Sequence, residues 1–144
     1  MDHKIDKFKH SSLTETIICC FYTVYNTLGY GFLEKVYENA LTLELQTRDL
    51  PVVNQKPIKV YYGDVVVGEY FADLVVDNRV IVEIKAASAI ANEHEAQLLN
   101  YLKATELEVG LLLNFGPKAE VRRKAFENPS KYPKCIGSKL LDRI

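Results

Sequence analysis

The stretch from Phe71 to Lys85 constrains this chain most. Two apolar, β-branched segments flank Asp77-Asn78, and three ionisable residues, Asp73, Glu83 and Lys85, interrupt them. Alternation at period two with a turn signal between predicts a β-hairpin. Charged groups inside apolar strands are costly to bury unless paired or metal-bound, so the three need a reason. Loop length decides how they meet. A two-residue loop puts Asp73 opposite Val82 and sends Glu83 to the other face. A three-residue loop, Asp77-Asn78-Arg79, puts Val76 opposite Val80 and Asp73 opposite Glu83, with Cβ atoms about 4.5–5.5 Å apart. The second register is preferred. It gathers Ala72, Leu74, Val76, Val80, Val82 and Ile84 on one apolar face, and Phe71, Asp73, Val75, Ile81, Glu83 and Lys85 on the other. It requires Arg79 or Asn78 to take the left-handed position of the loop.

Two carboxylates held that close repel, and a divalent cation between them keeps both ionised. Oxygen ligands with open water positions suit Mg²⁺ or Mn²⁺. Lys85, two residues after Glu83 on the same face, can reach the same space, orient an attacking water and stabilise charge on a phosphate. An ordinary ion-pair cluster at a strand end is the competing reading of the same spacing.

Around this hairpin the periodicity predicts two helices before it, Ser12 to Leu28 and Phe32 to Arg48. Ser11 or Ser12 caps the first and Gly29 and Gly31 end it. A strand over Ile58 to Tyr62, a Gly63-Asp64 turn and a longer strand over Val65 to Val76 lead into Val80 to Lys85. Ser88 to Thr105 is expected to be helical, Val109 to Asn114 a strand covered on both faces, and Ala119 to Phe126 one further short helix. Asn128 to Gly137 reads as loop. The order α-α-β-β-β-α-β-(α) implies an α/β fold, a mixed sheet of about four strands with helices packed on it.

The chain has 144 residues, 48% of them apolar, and is expected to form one domain, with residues 1–10 a mobile N-terminus and 116–144 a basic C-terminal extension. Cys19, Cys20 and Cys135 match neither a zinc spacing nor a disulfide framework, which points to reduced thiols in the cytoplasm. No signal peptide or membrane span is expected. From Gly116 onward eight basic residues face three acidic ones, a local +5 in a chain of net charge −1. Such a basic end suits nucleic-acid contact as well as a solvated surface. Gly29-Tyr30-Gly31 joins two helices and lacks a following Gly-Lys-Ser/Thr, so it is a turn and not a phosphate loop. His94 has only Gln97 and Leu98 one turn away and reads as structural or substrate-edge, not as a metal ligand.

Gly31-Phe32-Leu33-Glu34-Lys35-Val36-Tyr37 reads G-x-x-E-x-x-Y. Tyr70-Phe71-Ala72-Asp73, Val82-Glu83-Ile84-Lys85-Ala86 and His94 through Leu102 follow in order. With these linked motifs the chain resembles the GxxExxY protein family of the PD-(D/E)xK nuclease-like superfamily, from about Thr14 to about Phe115. The resemblance implies a restriction-endonuclease-like core. It also implies that Asp73 binds metal, that Glu83 and Lys85 form the E-x-K pair, that Glu34 completes the metal site directly or through water, and that Gln97 stands beside it. Alanine at 72 departs from the superfamily's proline. Glu34, Asp73, Glu83, Lys85 and Gln97 are then the candidate catalytic residues of a Mg²⁺-dependent nuclease acting on DNA or RNA. Tyr101, one turn from Gln97, and Arg122, Arg123 and Lys124 are candidate nucleic-acid contacts. The alternative is a non-catalytic nucleic-acid- or protein-binding module on the same fold. Small nucleases of this type often pair to cut both strands, which makes a homodimer an expectation.

Overall fold

The structure, a computed structural model, describes residues 9–131. Helices α1 (Ser11–Leu28) and α2 (Glu34–Gln46) precede strands β1 (Val52–Tyr62), β2 (Val65–Val76) and β3 (Val80–Lys85). Helix α3 (Asn92–Lys103), strands β4 (Val109–Phe115) and β5 (Ala119–Ala125) and a short 3₁₀ turn at Asn128–Ser130 follow. The strands form one mixed sheet in the order β1-β2-β3-β4-β5. β3 and β4 run parallel and the other neighbours antiparallel. A parallel pair needs a crossover, and α3 supplies it.

The two sides of the sheet bury different helices. α1 and α2 cover one side, where Ile17, Phe21, Tyr37 and Leu41 meet Leu74, Val76, Val80, Val82, Ile84, Leu111, Leu113 and Phe115. α3 covers the other, where Leu98, Tyr101 and Leu102 meet Ile58, Ala72, Val75, Ile81 and Leu112. β4 is buried along its whole length, as expected for a central strand covered on both faces. Ala72 belongs to the α3 side, not to the Leu74 side assigned from alternation. The simple alternation of β2 does not extend past Asp73.

Tyr37 ties the first two helices together. Its ring stacks on Phe115 at 4.3 Å. Its hydroxyl donates to the Gly29 carbonyl at 2.7 Å and accepts from the Phe32 amide at 3.1 Å. The Gly29–Phe32 loop is thereby clamped, and with it the start of α2. Gly29 closes α1 at φ 70, a left-handed conformation that costs glycine little.

Several expectations are corrected. Ala119–Ala125 is a fifth strand, not a helix. It pairs with β4 from Phe115↔Ala119 to Val109↔Ala125, supplying the backbone partners that the edge of a fully buried strand requires. It is therefore part of the central sheet and not an extension from 116 onward. β1 begins at Val52, not Ile58. It is an edge strand, where polar residues face solvent and Pro57 is tolerated. Neither Ser11 nor Ser12 caps α1. His10 stands at that position with no side-chain cap, while the carbonyls of Ser11 and Ser12 accept from Thr14 and Thr16. α3 starts at Asn92 because the preceding residues are held elsewhere: the Ala87 amide donates to Asn114 Oδ1 and the Ile90 amide to Glu120 Oε1. His94 is structural, its Nδ1 accepting from the Ala91 amide at 3.0 Å. Lys9 pairs with Glu108, and its carbonyl accepts from Arg123, so the end of the 1–10 segment is tied to the body. Residues 1–8, Cys135 and the basic residues Lys134, Lys139 and Arg143 lie outside the described residues. Among the described residues no helix is long and apolar enough to cross a membrane.

Candidate active site at the β2–β3 divergence

The hairpin adopts the three-residue register. Val76 pairs with Val80, Val75 with Ile81 and Leu74 with Val82. Asp77 and Asn78 take left-handed φ of 53° and 54°, rather than Arg79. Short Asx side chains accept that conformation more readily than arginine.

Backbone pairing between β2 and β3 stops at Leu74↔Val82, and the next residues are Asp73 and Glu83. There the side chains take over. Glu83 Oε2 accepts from the Asp73 amide at 2.7 Å, and Asp73 Oδ2 accepts from the Ile84 amide at 2.8 Å. Each carboxylate thus holds the other strand's backbone where the strands part. Amide donors favour the charged form, but burial opposes it. Glu83 is 5% exposed. Burial first, then the adjacent Asp73 charge, pushes it up to about 8. Asp73 is also raised, chiefly by burial, against the pull of the Ile84 amide and Gln55. Lys85, half-buried, lowers both, and its ammonium makes no hydrogen bond or ion pair among the described residues.

Gln55 and Glu38 complete this centre, and neither is expected from the sequence. Gln55 Nε2 donates to Asp73 Oδ1 at 3.3 Å and to Glu38 Oε1 at 2.9 Å. Gln55 holds a φ of 51° within β1, a conformation that a residue of its kind keeps only when its surroundings enforce it. Glu38 is 4% exposed and accepts in addition from Lys35 and Asn54. A signal for Glu38 is present: it follows Glu34 by four residues, on the helix face that continues into the buried Leu41.

The other expected residues are placed as follows. Glu34 lies exposed in the first turn of α2, near enough to add to the upward push on Glu83. Gln97 Nε2 donates to the Tyr101 hydroxyl at 2.7 Å. Tyr101 is buried, and burial followed by the Glu83 charge pushes it up to about 12. α3 therefore brings Gln97 and Tyr101 to the side of the carboxylates. The basic residues of β5 are engaged within the protein. Arg122 pairs with Glu120 at 3.5 Å, Lys124 with Glu95 at 2.6 Å, and Arg123 donates to the Lys9 carbonyl. Arg122 alone of the three is largely exposed.

The donor set fits a hard divalent cation. It is all oxygen, and the Asp73 charge raises the proton affinity of Glu83. Among the described residues no three Asp, Glu, His or Cys side chains form a ready-made metal cluster. Mg²⁺ suits such a site, because one or two carboxylates plus retained waters suffice to hold it.

The chain is thus an α/β protein with a mixed five-stranded sheet that carries an acidic pair and a lysine on its diverging β2–β3 hairpin. Residues 11–124 match the family model of the PD-(D/E)XK nuclease superfamily, and the chain belongs to that superfamily. None of the curated proteins is significantly similar to it. One similar solved structure, described as "Crystal structure of SSO0001", has a TM-score of 0.49 and 18% identity, over 92% of this chain and 65% of that one.

Proposed function

We propose that this chain is a Mg²⁺- or Mn²⁺-dependent nuclease that hydrolyses phosphodiester bonds of DNA or RNA with water as nucleophile. The interlocked pair of half-buried Asp73 and buried Glu83 beside Lys85 carries the reading. A cation held by these two carboxylates, with Glu34 reaching it through water, would acidify a water and neutralise the scissile phosphate. Lys85 has its ammonium available to orient that water and to stabilise charge on the phosphate. Gln97, fixed by Tyr101, orients water or a phosphate oxygen. Gln55 holds Asp73 in line, and Glu38 holds Gln55. Arg122 contacts the nucleic-acid backbone from the exposed edge of β5.

One observation favours a second reading, a binding module without chemistry: both carboxylates already accept backbone amides, so the pair has a structural role of its own. The test is cleavage of plasmid and single-stranded substrates in Mg²⁺ and Mn²⁺. Lys85→Ala is expected to lower the rate about 10²–10³-fold while Mn²⁺ binding by calorimetry persists. Metal binding without cleavage by the wild type would favour the module.

A further inference from the structure

Beyond β3's reach, β1 and β2 continue as a two-stranded arm over one side of α3. Between arm and helix lies a cavity of about 590 Å³, lined among others by Lys59, Tyr70, Gln97, Asn100, Tyr101 and Lys103. We propose that this cavity seats an unpaired nucleobase against the Tyr70 ring, so that the substrate is single-stranded nucleic acid; the substrate assignment rests on the nuclease reading above.

Three observations carry it. First, the cavity shares Tyr101 with the surroundings of the carboxylates, although the carboxylates do not line it. Tyr101 lines its wall and also feels the charges of Glu83 and Asp73. Second, Tyr70 offers an aromatic face. It is 46% exposed and leans on Tyr101, with centroids 5.8 Å apart. Gly68 permits this pose, since a Cβ there would lie 3.2 Å from Tyr70 Cε2. A glycine inside a strand often marks such a close approach. Third, the lining chemistry suits a nucleotide. The Asn100 amide can bond base edges, and Lys59 and Lys103 carry charge opposite to phosphate. Stacking on an aromatic ring requires a base with a free π-face. Bases within a duplex are stacked on one another and offer none. A volume near 590 Å³ falls in the range of small-molecule sites and has room for a nucleotide.

The test is metal-free binding by fluorescence anisotropy. The full chain is titrated in EDTA with a labelled oligodeoxythymidylate and with a blunt duplex of equal length. The single strand is expected to bind at least tenfold tighter. Tyr70→Ala is expected to weaken it about tenfold, and Tyr70→Phe to leave it nearly unchanged. Ala96→Trp, on the exposed face of α3 at the cavity, is expected to block the single strand without touching β2, which keeps the proposal testable should Tyr70→Ala fold poorly. Equal affinity for the duplex, or full single-strand affinity in well-folded Tyr70→Ala and Ala96→Trp, would overturn it. The two readings fail separately. Single-strand binding that depends on Tyr70 without cleavage in any metal upholds the pocket and ends the nuclease reading. Cleavage of duplex, indifferent to Tyr70, ends the pocket alone.

Discussion

Asp73→Asn is expected to lower metal-dependent phosphodiester hydrolysis by at least about 10²–10³-fold, with the fold intact. The substitution is close to isosteric. The amide oxygen of Asn can still accept from the Ile84 amide, which Asp73 holds at 2.8 Å, so the β2–β3 junction keeps its closure. What is lost is the negative charge. The cation site then has one central carboxylate instead of two, and Glu83 loses the Asp73 charge that helps hold its proton. Asp73→Ala would confound the result, because removing an acceptor from a buried amide costs about 1–3 kcal/mol by itself. Cleavage rates measured beside circular dichroism spectra separate loss of chemistry from loss of fold. A variant that stays folded and keeps wild-type rates would remove Asp73 from the mechanism.

Glu83→Gln is expected to stabilise the metal-free protein at pH 8 and to flatten its stability between pH 5 and pH 8. Glu83 has its folded-state pKa raised from 4.5 to about 8. Below the unfolded value both states carry the proton, and nothing depends on pH. Between the two values the folded chain keeps the proton that the unfolded chain has released. The folded state therefore binds more protons, and stability falls as pH rises through that window. Above about 8 the loss is complete. A gap of one pH unit between the folded and unfolded pKa is worth about 1.4 kcal/mol, so the full effect is on the order of 3–5 kcal/mol, an upper bound. Asp73, also raised, adds in the same direction. Gln at position 83 can still accept from the Asp73 amide and has no proton to lose. Denaturation midpoints in EDTA across this range check the prediction. A wild type whose stability does not change would show that this pair is less buried and less coupled than the structure has it.

The geometry of the centre is legible in the sequence because strand geometry translates spacing into contact. With Asp77-Asn78-Arg79 as the loop, pairing of Val76 with Val80 brings Asp73 to Glu83. The divergence of β2 from β3 is not legible, since it depends on where α3 and α2 hold the two strands. Hence neither the carboxylates' role as surrogate ladder partners nor the shift of Ala72 to the α3 side can be foreseen. Gln55 escapes notice for a related reason. Its polar neighbours Asn54 and Lys56 read as loop, and an edge strand looks like one when its outer side faces water. Glu38 shares its helix stripe with Glu34 and the buried Leu41 and Leu45, and its burial is not readable without the Asn54 and Gln55 amides that reach it. β5 reads as helix because Ala119 to Phe126 is short and rich in charge. Only the unsatisfied edge of β4 decides its form.

The most direct test is a crystal soaked in Mn²⁺ and read for anomalous scattering. The expected result is a single strong peak between the side chains of Asp73 and Glu83, with water completing its shell, and its disappearance in Asp73→Asn. Full Mn²⁺ occupancy elsewhere on the molecule, with no density between those two carboxylates, would contradict the account.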